Sequence, residues 1–278
     1  MSKAMSEQPS HANNAPKIAA LSALKDHRKI VCLTAYTASM ASRLDAHCDL
    51  LLVGDSVAMV VYGEDTTNTA TIEMMIRHGK AVKKATSRAV IVVDMPAGTY
   101  EDSSNWAVDN AHQIASHTQA DAVKLEGGEA LAPHVAAIVQ SGIPVMGHIG
   151  LLPQQVSSPD EFRVTGRDSL EEEQLLRDLK ALEAAGCFAI VIECVVEEVA
   201  RRLAEAATVP VIGIGASPAC HGQILVTDDL IGMYDKFTPK FVRKYSTLSD
   251  SIDEAVASYR EDVLKGDFPS DKECFMKR

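Results

Sequence analysis

From Ile30 onward the chain alternates between short, continuous apolar runs and longer segments whose apolar positions recur at helical spacing. The apolar runs predict strands near 30–36 (IVCLTAY), 50–56, 89–95, 122–127, 144–149, 187–194, 210–215 (PVIGIG) and 223–228. Runs this uniform suit strands covered on both faces, the condition of a parallel sheet. Between them the spacing predicts helices over 38–48, 71–86, 103–118, 129–141, 169–185 and 196–208. The fifth is the clearest: LEEEQLLRDLKALEAAG opens with acids, keeps leucine at helical spacing and closes on Gly186, matching dipole and C-cap preferences. Between the last two strands SPACHG is short and turn-like, so no helix is evident there.

Strand–helix alternation with right-handed crossovers gives either an open doubly wound sheet or a closed barrel. Eight units within 278 residues favour the α/β class as a (β/α)8 TIM barrel, for which ~250 residues is typical. Ahead of the first strand, KIAALSALKDHR reads as a short amphipathic helix. Residues 1–16 are expected to be a disordered leader, 17–266 one barrel domain and 267–278 a tail, with a helix around 247–265 packing outside the barrel.

A set of polar residues changes the picture from architecture to chemistry. Asp55, Asp94, Lys124, Glu126, His148 and Glu193 each sit at or next to the C-terminal end of an apolar run, in DLLLVGDS, AVIVVDMP, DAVKLEGGE, PVMGHIG and FAIVIECV. A parallel barrel brings all those ends to one rim, where such enzymes keep their chemistry. Lys124 and Glu126 lie two apart on one strand and therefore share a face. Asp55 and Asp94 follow fully apolar strands, where a carboxylate is costly unless paired or metal-bound. Hard divalent cations such as Mg²⁺ use one or two carboxylates together with substrate oxygens and water. Glu193 follows four apolar residues in AIVIECV, and partial desolvation there makes a carboxylate a better proton acceptor. His148 fits either a donor to a substrate oxygen or a structural role, and GIGAS is only a weak anion signal.

Composition narrows the classes of partner. The net charge of −11 leaves no basic stripe of the kind nucleic-acid binding requires, and disfavours anionic membranes. No apolar run approaches the ~20 residues that span a bilayer, and the start MSKAMSEQPSHANNAP has no apolar core of a signal peptide. The expected location is cytoplasmic. The six cysteines are scattered without a CxxC pair, which reads as buried reduced thiols.

The segments VGDS, the Asp of VVDMP, VKLEGGE, PVMGHIGLLPQ, LEAAG, VIECV, PVIGIGA, GQILV and FTPKFVRKY, in this order from about Lys17 to Gly266, resemble the ketopantoate hydroxymethyltransferase family. The resemblance implies a barrel of the phosphoenolpyruvate/pyruvate-utilising type. It implies transfer of a hydroxymethyl group from 5,10-methylenetetrahydrofolate to 3-methyl-2-oxobutanoate, giving 2-dehydropantoate, the first committed step of pantothenate synthesis. It also implies Mg²⁺ on Asp55 and Asp94, with Glu126 completing the site directly or through water. Asp55, Ser56, Asp94, Lys124 and His148 are the implied keto-acid contacts, Glu193 the implied general base, and a homo-oligomer, commonly a homodecamer, the implied assembly. A related Mg²⁺-dependent 2-oxo acid lyase would share the aspartates without the folate, and a Schiff-base role for Lys124 is opposed by the carboxylates around it. The chain departs from the family pattern at Thr37 (usually Asp), at Ser217 and His221 in GIGAS and CHGQ, and in the loop SPDEFRVTGR.

Overall fold

In the computed structural model, residues 15–156, 162–233 and 238–276 are described. The strands β1 (Ile30–Thr34), β2 (Leu50–Val53), β3 (Val90–Asp94), β4 (Ala122–Lys124), β5 (Val145–Gly150), β6 (Ala189–Glu193), β7 (Val211–Ile214) and β8 (Gly222–Leu225) run parallel. They pair in chain order, and β8 closes on β1 with Ile30 opposite Gly222. The predicted (β/α)8 barrel is the fold. Most predicted strands overran: β2 stops at Val53 and β4 at Lys124. The overrun residues 54–56 and 125–127 lie beyond the paired strands, in the turns that carry Asp55, Ser56 and Glu126.

The helices are α1 (Ala15–Ala23), α2 (Ala38–Leu44), α3 (Val57–Val60), α4 (Ile72–Lys84), α5 (Ser104–Thr118), α6 (Ala132–Gln140), α7 (Ser169–Ala185) and α8 (Glu197–Ala206). Their starts are chemically marked. Thr37, Thr71, Ser103 and Asp168 each sit in extended backbone before α2, α4, α5 and α7 and accept an amide N–H of the first turn. At its C-terminus α7 ends on Gly186 with φ 96°, a left-handed conformation that costs glycine least. The predicted 129–141 helix divides into a 3₁₀ turn, Glu129–Leu131, and α6, whose first turn carries Pro133. Residues 215–221 carry the chain back from β7 to β8 without a helix, as the turn-like sequence suggested.

Strand alternation sorts the core into two clusters. Inward positions Ile30, Cys32, Leu50, Leu52, Val90, Val92, Ala122, Met146, Ala189, Val191, Ile212 and Ile224 fill the barrel, and Ile18 and Leu21 of α1 join them. Outward positions such as Leu51, Ile91, Val93, Ile190 and Ile192 pack in the layer of the surrounding helices with Met75, Ile114, Leu179 and Leu182. Asp121, buried before β4, binds Lys17 of α1 (3.2 Å) and Lys83 of α4 (2.7 Å) and accepts the Ile91 amide. Four of the six cysteines, Cys32, Cys48, Cys187 and Cys220, are buried thiols.

Of the expected leader, residues 1–14 lie outside the described residues, whereas Ala15 and Pro16 open α1. The barrel unit ends at Val226, and the residues from Thr227 form a second compact unit. That unit contains α9 (Thr227–Leu230) and α10 (Leu248–Lys265), the latter capped by Gly266 and carrying no buried residue. Among the described residues no helix is long and apolar enough to cross a membrane.

Candidate active site

The inward phase that is apolar low in the barrel turns polar at its C-terminal end. Asp94 follows Val90 and Val92 in phase, Lys124 follows Ala122, His148 follows Met146, and Glu193 follows Ala189 and Val191. Register makes them neighbours, with Asp94 opposite Lys124 across β3 and β4, and Gly150 opposite Glu193 across β5 and β6. Asp55 and Ser56 lie beyond β2, in the turn that opens α3. Thus the six predicted rim residues converge, and Ser56 borders them.

Direct contacts differ from those that sequence spacing implied. Lys124 reaches across to Asp94 rather than along its own strand to Glu126, with Nζ 2.5 Å from Asp94 Oδ1. The other Asp94 oxygen accepts the Asp55 amide at 3.1 Å. Glu126 instead faces His148, Oε1 to Nδ1 at 3.2 Å, and Nε2 of the same ring lies 3.3 Å from Glu193 Oε2. These are ion-pair distances, although neither ring nitrogen meets hydrogen-bond geometry. Ser56 Oγ lies 2.7 Å from the Tyr36 hydroxyl.

The charges are buried and unequal in number. Asp94, Glu126, Lys124, His148 and Asp55 are all buried, and Glu193 keeps 17% of its side chain exposed. Burial, then Asp94 and Glu126, pushes the Asp55 carboxyl up to about 8. Burial also raises Asp94, although Lys124 opposes it. For Lys124 burial acts downward, but Asp94, Glu126 and Asp55 outweigh it and hold the ammonium above its ordinary range. Burial works against ionised Glu126, which His148 and Lys124 nevertheless keep below the usual carboxylate range. His148 is lifted to about 9 despite burial and Lys124, because carboxylates flank both ring nitrogens.

Asp55 is the clearest sign that the donor set suits a further cation. It is a buried carboxylate beside two others, and the nearest ammonium is already engaged by Asp94. Among the described residues no three His, Cys, Asp or Glu side chains converge as a ready-made metal centre. Asp55 and Asp94 are hard oxygen donors of the kind that a divalent cation takes in ones and twos beside substrate oxygens and water.

Two residues that the sequence reading passed over complete the site. Gln154, on the 3₁₀ turn Pro153–Gln155 after β5, is buried and donates Nε2–H to Asp55 Oδ2 at 2.8 Å. Tyr100 donates its hydroxyl to Gln154 Oε1 at 2.6 Å. An amide at the end of LLPQ was the only available signal for Gln154. The departures from the family pattern have local explanations. Thr37 caps α2, a role threonine and aspartate both fill. Ser217 donates to Glu197 at 2.7 Å, and His221 accepts the Val211 amide at 3.0 Å. Part of the SPDEFRVTGR loop, residues 157–161, lies outside the described residues.

The chain is similar to the 3-methyl-2-oxobutanoate hydroxymethyltransferase of Rhizobium etli, 50% identical over 258 residues that cover 93% of this chain and 94% of the relative. It is similar to that of Rhodospirillum rubrum as well, 51% identical over 246 residues, 88% of each chain. Among solved structures its fold is like that of a phosphonopyruvate hydrolase, with TM-score 0.63, 15% identity, and 94% and 92% of the two chains covered. A 2,3-dimethylmalate lyase of the PEP mutase/isocitrate lyase superfamily gives TM-score 0.56, 15% identity and 93% and 92% coverage. At that identity the likeness speaks to the barrel alone. The family model for ketopantoate hydroxymethyltransferase matches residues 16–271, and the chain belongs to that family.

Proposed function

We propose that this protein transfers a hydroxymethyl group from 5,10-methylenetetrahydrofolate to 3-methyl-2-oxobutanoate, forming 2-dehydropantoate, with Asp55 and Asp94 as the residues that would hold Mg²⁺ and Glu126 completing the site directly or through water. The observation that carries the reading is the rim cluster, with carboxylates at the ends of β2, β3, β4 and β6, His148 on β5 between the last two, and one lysine engaged among them. A divalent cation, when bound, supplies positive charge to offset the negative charge that builds on the keto acid's oxygens.

The chain's own residues do the rest. Lys124 offers its ammonium to the anionic end of the keto acid while Asp94 fixes its direction. Ser56, held by the Tyr36 hydroxyl, contacts the same substrate. Glu193 takes the C3 proton, and the electron pair of that C–H bond becomes the C2–C3 double bond of an enolate. His148, clasped between Glu126 and Glu193, aims the Glu193 carboxylate and remains a donor. Carbon C3 then bonds to the one-carbon unit, both C–N bonds tying that unit to N5 and N10 of the folate break, water supplies the hydroxyl, and the two nitrogens take up the proton removed from C3 and the proton released by water. The substrate partners are thus two small molecules, and the enzyme works as a homo-oligomer in the cytoplasm.

Purified protein supplied with 3-methyl-2-oxobutanoate should form 2-dehydropantoate only when methylenetetrahydrofolate and Mg²⁺ are both present. Cleavage of a 2-oxo acid without folate would assign the site to a lyase instead. Full turnover in excess EDTA would remove the cation from the reading.

A further inference from the structure

Gln154 touches more of the rim than any residue assigned to the chemistry. Besides the bond to Asp55 Oδ2, its Nε2 donates to the Met95 carbonyl at 3.1 Å, and its backbone N–H donates to Glu126 Oε2 at 3.0 Å. The residue follows β5, and its partners follow β2, β3 and β4, so one residue, by its side chain and its backbone amide together, ties four strand ends. The direction of the amide is fixed by its surroundings. The Tyr100 oxygen receives the Glu126 amide N–H (3.3 Å), and its single proton goes to Gln154 Oε1. Nε2 must then face the Met95 carbonyl, which can only accept, and with it Asp55 Oδ2.

We propose that Gln154 is a positioning residue which, oriented by Tyr100, sets the Asp55 and Glu126 carboxylates for cation binding. Its side-chain amide engages one oxygen of Asp55, and its backbone N–H, placed by the same anchored turn, engages one oxygen of Glu126. Rotationally loose carboxylates would have to be ordered by the cation itself, at a cost in affinity. Hydrogen-bonded supports of metal-binding carboxylates typically change affinity by ~10- to 100-fold when removed. This inference rests on the divalent-cation reading above.

The test is Mn²⁺ affinity, read by electron paramagnetic resonance of the purified protein without substrate, in wild type, Gln154→Met and Tyr100→Phe. Methionine keeps the volume of glutamine and removes both amide functions, whereas Tyr100→Phe removes only the hydroxyl that orients the amide. We expect Mn²⁺ binding ~10-fold weaker in Gln154→Met, and a smaller loss of the same sign in Tyr100→Phe. At saturating Mn²⁺ the two variants should recover kcat more fully than they recover cation affinity. Wild-type affinity in both variants overturns the role of Gln154 while leaving the cation site standing. A wild-type protein that binds no Mn²⁺ overturns the cation reading and this inference with it. If Gln154→Met does not fold, wild-type affinity in Tyr100→Phe alone is sufficient to overturn the proposal.

Discussion

At the scale of single residues, the site separates two kinds of carboxylate. Asp94 and Glu126 are buried and each is held by a cationic partner, whereas Glu193 keeps a solvent-facing edge and touches the cluster through His148 alone. A general base must come within hydrogen-bond reach of the proton it takes, and that open edge lets Glu193 meet a substrate. Glu193→Gln retains shape and removes the acceptor. Solvent deuterium exchange into 3-methyl-2-oxobutanoate, followed without folate, isolates C–H cleavage from transfer. Exchange should fall by ~10²- to 10⁴-fold, the usual worth of a positioned base, with keto-acid binding largely kept. Exchange at the wild-type rate would move the base elsewhere, with His148 the next residue to test. The rim carboxylates were legible in the sequence because each ends an apolar run. Gln154 and Tyr100 were not, since an amide after a proline and a tyrosine in PAGTY look like ordinary loop residues.

At the scale of elements, the connection from β7 to β8 carries a pH dependence of its own. Nδ1 of His221 accepts the Val211 amide, so the ring is neutral there. Burial, then Lys25 and Lys29, lowers its pKa from 6.5, with Asp26 opposing. The folded value lies below the unfolded one, so on acidification the unfolded chain takes up the proton first. This contribution to stability is full above pH 6.5 and is lost as pH falls through the lower, folded-state value. Urea unfolding of wild type at fixed protein concentration should therefore weaken more between about pH 7.5 and about pH 5.5 than unfolding of His221→Asn. An equal loss in both would place the acid sensitivity elsewhere. The helices illustrate how far local signals reach. The predicted α7 range matched the structure because its acids, leucines and closing glycine all agree, while the 129–141 segment split where Pro133 begins a helix better than it continues one.

At the scale of the whole molecule, the exposed face of α10 bears on assembly. Ile252, Val256, Tyr259 and Val263 of α10 are 37%, 58%, 56% and 44% exposed. Their spacing of four, three and four puts them in one stripe, and a contiguous exposed apolar stripe is characteristic of association surfaces. Together with family membership this leads us to expect a homo-oligomer. Light scattering at micromolar concentration should give a mass several times 29.9 kDa. A stable monomer would contradict the expectation, and a charged substitution such as Val256→Glu should shift the mass downward if α10 lies in the interface.

The sequence by itself determined the barrel and which charged residues face the rim. Those properties depend on periodicity: a strand repeats every two residues, so VxVxD, AxKxE and AxVxE already place apolar side chains low in the barrel and charges at its mouth. Only the tertiary structure decided who touches whom at that mouth. Lys124 pairs with Asp94, thirty residues away, and Gln154 reaches Asp55 across a separation of 99 residues. Such contacts are set by the register between strands and by the path of the turns beyond them. Neither leaves a period in the chain, because a shift of one turn would exchange the partners while every local preference stayed satisfied.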